Sequence, residues 1–413
     1  MVWNNVPLVA KGCAVSKNTN ETVWVPTWAQ AVTDFRGEDD EPPFDNVTVR
    51  MTVPTSVGGR AIRLELSNLF GDGPVPIGRA AIGIAGRMHD ASFNRQPSTE
   101  IPPGASRWTD PVELTVGHGD EIVIDLYLPE PTGYATAAGF SFERSTPGDH
   151  IGSVNFPLED STAEAIDESR EFPAANTVDD GPEDGTGWSL PPGGPFVRTV
   201  EVFTAEPQAV VVCLGSSSTA MGWPQEAAAL LSADARIAIL NRGIPGNRIR
   251  LGAPEQTPSW GRAGLARFDD DVLGTAGVTH VAIAYNSNDW GLPGRVTPST
   301  EMPDLGEMIE AYEQLIGRAG AAGIVVILGT ITPLDPELAA DAEREGIRMG
   351  LNDWIRASGH PVADFDLAIR SSADPSRLDP RYAAPDDTHP NVNGEKRMAA
   401  VFLEALSPLI RVR

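Results

Sequence analysis

The sequence predicts an all-β, jelly-roll-like sandwich over residues 1–205, followed over 206–413 by an α/β domain built on a parallel sheet. Apolar and polar residues alternate with period two through the first half, whereas short apolar runs alternate with amphipathic helical stretches through the second. The chain, at 413 residues, is also longer than one ordinary core organises.

In the first half, Val47, Val49, Met51 and Val53 are separated by Thr48, Arg50 and Thr52. Ile62, Leu64 and Leu66 are separated by Arg63 and Glu65, so each run has one apolar face. Thr55-Ser56-Val57-Gly58-Gly59 between them is expected to be a hairpin loop. Ile122, Ile124 and Leu126 supply a further half-buried strand. An acidic insertion over about 157–195 sets carboxylates from Glu159 to Asp184 against the single Arg170 and ends in Gly and Pro, as a solvated segment does. Phe196 to Phe203 reads as the strand closing the sandwich, and Ala205-Glu206-Pro207 as the domain boundary.

Beyond the boundary, strand-like runs fall at 210–214, 236–240, 280–285, 324–329 and 362–365. Between and after them, helical patterns cover 225–231, 262–273, 304–321, 339–357 and 394–406. Apolar runs of this kind imply strands buried on both faces of a parallel sheet, where ligands sit at the carboxyl ends of the strands.

Composition narrows the partners. Lys+Arg 31 against Asp+Glu 57 gives a net charge of −26, and no basic cluster reverses that field locally, so nucleic acid and anionic membrane surfaces are not expected partners. No basic leader with an apolar run and no spanning stretch is seen, so the expected location is cytoplasmic unless the sequence has been trimmed. Cys13 and Cys213 are expected as free thiols. His89, His118, His150, His280 and His360 show no metal-ligand spacing, and no metal or organic cofactor is expected.

Four polar loops stand at the strand ends: Gly215-Ser216-Ser217-Ser218-Thr219, Asn241-Arg242-Gly243-Ile244-Pro245-Gly246-Asn247, Asn286-Ser287-Asn288-Asp289, and Asp386-Asp387-Thr388-His389 before the last helix. The chemistry available to them is acyl transfer. An imidazole can take a serine proton at neutral pH if a carboxylate fixes its tautomer, and Asp386 is three residues before His389, close enough to fold back onto the ring. A developing oxyanion needs donors, and Ser217, Gly243 and Asn288 are the right kinds of group. Trp223, Trp260 and Trp290 flank three of these loops, and Trp290 is expected as a wall for the acyl or alcohol group.

These loops resemble, in order, the conserved blocks of the SGNH (GDSL-type) serine hydrolases. Asn352-Asp353-Trp354-Ile355-Arg356, Asp364-Phe365-Asp366, His389-Pro390-Asn391, Ser56-Val57-Gly58-Gly59 and Leu66-Ser67-Asn68-Leu69-Phe70-Gly71 are similar to a bacterial two-domain branch with an N-terminal β-domain. The resemblance implies a flavodoxin-like three-layer α/β/α catalytic domain. It also implies Ser217 as nucleophile, His389 as base, Asp386 as its partner, and Ser217, Gly243 and Asn288 as the oxyanion hole. Ser216 stands where the family usually has Asp, and Asn286 where it usually has Gly. The implied activity is a serine esterase cleaving short-chain acyl or O-acetyl esters of small molecules or glycans through an acyl-enzyme. The alternatives are an O-acyltransferase, or a non-catalytic carbohydrate-binding protein on a degenerate hydrolase frame.

Overall fold

The structure, a computed structural model, describes residues 22–36, 44–84, 86–133, 136–137, 142–159, 191–205 and 207–410. Residues 160–190 of the acidic insertion, and Cys13, lie outside the described residues.

The first half contributes β1 (Thr22–Ala29), β2 (Thr33–Asp34), β3 (Val47–Pro54), β4 (Ile62–Ser67), β5 (Val75–Ile77), β6 (Arg79–Ile84) and β7 (Arg87–Ala91). It continues with β8 (Thr99–Ile101), β9 (Ser106–Trp108), β10 (Glu121–Leu128), β11 (Thr136–Ala137), β12 (Glu143–Arg144) and β13 (Val197–Ala205). Two antiparallel sheets, ordered β1-β13-β4-β9 and β12-β3-β10-β6-β7, share one apolar core. Thr55–Gly59 is not a hairpin loop, contrary to expectation. Strand β3 pairs with β10 (Val49 with Leu126), while β4 pairs with β13 (Leu64 with Val200), so the loop carries the chain from one sheet to the other. The crossing lets both strands turn their single apolar faces into the same core. The loop is held by Ser56 N–H donating to Thr27 O at 3.2 Å and by Thr27 Oγ1 donating to Val57 O at 2.7 Å.

The second half is built on β14 (Ala209–Gly215), β15 (Ile237–Gly243), β16 (His280–Ala284), β17 (Val325–Gly329) and β18 (Val362–Ala363). All are parallel, in the order β15-β14-β16-β17-β18. The helices are α1 (Ser217–Ala220), α2 (Trp223–Leu230), α3 (Gly264–Phe268), α4 (Asn288–Gly291), α5 (Leu305–Ala321), α6 (Pro336–Ala339), α7 (Ala342–Ala357), α8 (Phe365–Ile369) and α9 (Val392–Leu406). Strand pleating makes the three layers. Val210, Val212 and Leu214 of β14 join the core containing residues of α5 and α7, whereas Ala209, Val211 and Cys213 pack with Trp223, Met398 and Phe402 of α2 and α9. Burial alone pushes the Cys213 thiol pKa up, which leaves it an inert part of that core.

The helix expected over 339–357 is α7, which starts at Ala342 because Asp341 caps it by accepting from the amides of Glu343 and Arg344; the short α6 before it is capped separately by Asp335. Residues 241–243 are the end of β15 instead of a loop, and the whole strand is buried although it is the sheet edge. Strand β1 packs against it, and the Arg242 guanidinium donates to Gln30 O and Thr199 Oγ1 of the β-sandwich. Strand order reverses between β14 and β16, so the loops after these two strands open side by side.

Candidate active site

Ser217 is the first residue of α1, directly after β14, and is only 5% exposed. The tight strand-to-helix turn depends on Gly215, where a Cβ would lie 2.1 Å from Thr219 Oγ1 and 2.3 Å from Ala284 O. The hydroxyls around Ser217 are committed to the end of β16. Ser216 Oγ accepts from Asn286 N at 3.0 Å, Ser218 Oγ accepts from Asn286 Nδ2 at 3.0 Å, and Thr219 Oγ1 donates to Ala284 O at 2.9 Å.

The Ser217 hydroxyl has a different partner, His389 Nε2 at 2.9 Å. On the other side of the ring, His389 Nδ1 meets Asp386 Oδ2 at 2.6 Å. With the carboxylate accepting Nδ1–H, Nε2 is left as the acceptor for the serine proton. The backbone sets this up: Asp386 Oδ1 accepts from the amides of Thr388 at 3.1 Å and His389 at 3.0 Å, and Asp387 takes a left-handed φ of 55° to close the turn. Burial opposes ionisation of Asp386, but the His389 ring and the two amides outweigh it and hold the carboxyl below its ordinary range. Helix α9 is capped by Asn391, whose side chain accepts from Gly394 N at 2.9 Å, which frees Asp386 for the imidazole.

Of the expected oxyanion donors, Gly243 does not fit. Its only N–H donates to Asn241 Oδ1 at 2.8 Å, and a Cβ there would lie 2.3 Å from Ala220 N, so this glycine seats α1 against β15. Asn288 opens α4 and uses one amino hydrogen on Asn247 O at 3.0 Å, leaving the second. The glycine of the β15 loop with left-handed backbone is Gly246, at φ 70°, which lies against the Trp260 ring. Trp290 is 0% exposed inside the core, two residues around α4 from Asn288, and forms no wall of the site; Trp223 is likewise 0% exposed, against Phe365 and Phe402.

Sequence reasoning missed Arg267. This guanidinium, 1% exposed, donates to Gly215 O at 2.9 Å, Arg242 O at 2.7 Å and Asn247 Oδ1 at 3.0 Å, and pairs with Asp271 at 2.9 Å. It thus joins the ends of β14 and β15 to the loop that holds Asn288. A signal was present: an arginine between Leu265, Phe268 and Val272 interrupts the apolar face of its helical segment. Among the described residues no group of three or more His, Cys, Asp or Glu is placed to hold a metal ion, and no helix is long and apolar enough to cross a membrane.

Residues 204–397 match the GDSL-like lipase/acylhydrolase family. No curated protein matches the chain. Among solved structures, a catalytic mutant of an acetylxylan esterase from Geobacillus stearothermophilus is 21% identical over 50% of this chain and 98% of its own, with a TM-score of 0.39. A carbohydrate acetylesterase from Sinorhizobium meliloti is 16% identical over 49% of this chain and 99% of its own, at 0.37. A GDSL-like lipase from Bacteroides thetaiotaomicron is 20% identical over 50% of this chain and 92% of its own, also at 0.37. Residues 204–397, a little under half of the chain, are thus similar to the GDSL-like lipase/acylhydrolase family.

Proposed function

We propose that the protein hydrolyses short-chain acyl esters, O-acetyl groups on sugars included, by a Ser217–His389–Asp386 triad. The observation carrying this reading is the pair of contacts on the two faces of one imidazole, 2.9 Å to Ser217 Oγ and 2.6 Å to Asp386 Oδ2. His389 Nε2 takes the hydroxyl proton as Ser217 Oγ attacks the ester carbonyl carbon. Asp386 holds the ring in the productive tautomer and stabilises the imidazolium. The oxyanion is held by the Ser217 amide, the second amino hydrogen of Asn288 and the Gly246 amide, which takes the part expected of Gly243. Collapse returns the proton from His389 to the leaving alcohol and leaves an acyl-serine, and a water deprotonated by the same imidazole then releases the acid.

Small acyl groups are favoured because Ser217 and His389 are only 5% and 9% exposed, so the ester carbonyl must reach a nearly buried hydroxyl. The test is a fluorophosphonate adduct located by peptide mass, together with hydrolysis rates for p-nitrophenyl esters of increasing chain length and for acetylated xylan. Labelling at Ser217 with a maximum at acetate or propionate is expected. Labelling at Ser216 or Ser218 would overturn the assignment, and equal turnover of long-chain esters would overturn the substrate class.

A further inference from the structure

We propose that Asn286 is a positioning residue that clamps the nucleophile's turn through the neighbouring hydroxyls, so that Ser217 alone among them points at the imidazole. This rests on Ser217 being the nucleophile. Helix α1 is a single turn, and its first residues lack the usual brace, because the Ser216 side chain makes no bond to the amides that follow it. Ser216 Oγ instead accepts from the Asn286 backbone N–H at 3.0 Å. The Asn286 side chain then uses both amino hydrogens, one on Ser218 Oγ and one on Thr332 Oγ1, each at 3.0 Å. One residue thereby grips the positions on either side of Ser217 and ties them to the loop after β17.

The clamp is buried. Asn286 is 9% exposed and Ser218 is 5% exposed, so these bonds satisfy groups that bulk water barely reaches. The remaining Asn286 Oδ1 and the Trp223 indole N–H are both buried without a partner, and both residues line a cavity of about 10 Å³ together with Ser218, Thr219, Thr330 and Thr332. An acceptor and a donor beside a space of water size mark a site for one ordered water, which would join the clamp to the α2 side of the turn. Ser216 and Asn286 are also the two positions at which the sequence departs from the resembled block pattern, and here they touch each other.

The consequence is kinetic. A nucleophile whose turn loosens spends less time within proton-transfer distance, and a misplacement of about 1 Å can cost about 10²-fold in rate. Asn286→Gly is therefore expected to lower kcat on p-nitrophenyl acetate roughly 10- to 100-fold. KM should stay within about threefold and fluorophosphonate inactivation should slow in parallel, because binding surface is not what is removed. Ser218→Ala, which deletes one buried oxygen and little volume, should lower kcat in the same direction. The double variant should fall within about twofold of Asn286→Gly, since both changes break the same bond.

Undiminished kcat in Ser218→Ala would overturn the proposal even if Asn286→Gly failed to fold, and so would losses that multiply in the double variant. Ser217→Ala run in parallel separates the levels. Abolished turnover there with a normal Asn286→Gly removes only the clamp, whereas retained turnover in Ser217→Ala removes the clamp and the triad together.

Discussion

The turn bearing Ser217 and the turn bearing His389 meet across 2.9 Å, yet they are built by opposite means. The His389 turn is local. Its carboxylate, two of the amides it accepts from and the ring it orients all lie within Asp386–His389, and a further bond from Ala384 N to His389 O closes the loop on its near neighbours. The Ser217 turn is assembled from a distance, with restraints from Ala284, Asn286 and Arg267, residues 65, 68 and 52 positions away along the bonds they make. The His389 turn is thus shaped by its own sequence and the Ser217 turn by the rest of the sheet. Mutations should strike the two turns differently.

The largest effect erases the distinction. Ser217→Ala and His389→Ala should each reduce ester turnover by about 10⁴-fold or more, measured with p-nitrophenyl acetate, because either change ends proton transfer. Similar residual rates in the two variants and in their double would show a single catalytic unit. Asp386→Asn comes next, with a loss of about 10³- to 10⁴-fold, since the amide keeps the turn but no longer fixes the tautomer or balances the imidazolium. The melting temperature should fall only slightly at neutral pH, because the amide keeps the turn and loses only the stability of the ionised carboxylate. Asn288→Ala should cost about 10²- to 10³-fold in kcat with a smaller change in KM, as expected of a donor that acts chiefly in the transition state.

Acid separates the turns more gently. The Asp386 carboxyl is held below its ordinary value of 3.8 in the folded protein, so its contribution to stability is complete above that value and is lost as pH falls through the depressed one. The difference in melting temperature between wild type and Asp386→Asn should therefore stay flat from neutral pH to about pH 4 and shrink below it. A difference that shrinks already between pH 7 and 5 would contradict the assigned direction. Smallest of all for catalysis is Trp290→Phe. It should cost about 1–3 kcal/mol of stability by leaving space in the core, while the ratio of acetate to butyrate turnover stays unchanged.

The same contrast explains what could be read from the sequence. Asp-x-x-His is legible because spacing alone brings the carboxylate to the ring, and the parallel sheet is legible because strands buried on both faces leave unbroken apolar runs. Gly243 was misassigned because a glycine packing under Ala220 and a glycine presenting an amide look alike in one dimension. The Trp290 side chain follows Asn288 in the chain, but helical rotation carries it into the core, a reversal that adjacency hides. Thr55–Gly59 has hairpin composition, and only the pairing of its flanking strands shows that it changes sheets. Arg267 interrupts an apolar helical face, which marks it as buried, but the three distant oxygens it serves, Gly215 O, Arg242 O and Asn247 Oδ1, come together only in the fold.

The covered flank of the catalytic sheet bears on how the protein can be handled. An outermost parallel strand normally leaves half its peptide groups open to any passing chain, and β15 escapes this because the sandwich lies beside it and receives two guanidinium bonds from Arg242. The parallel-sheet half is consequently not a portable module: cutting it free would bare a long apolar strand next to the turn that carries Ser217, inviting self-association and loosening that turn in one stroke.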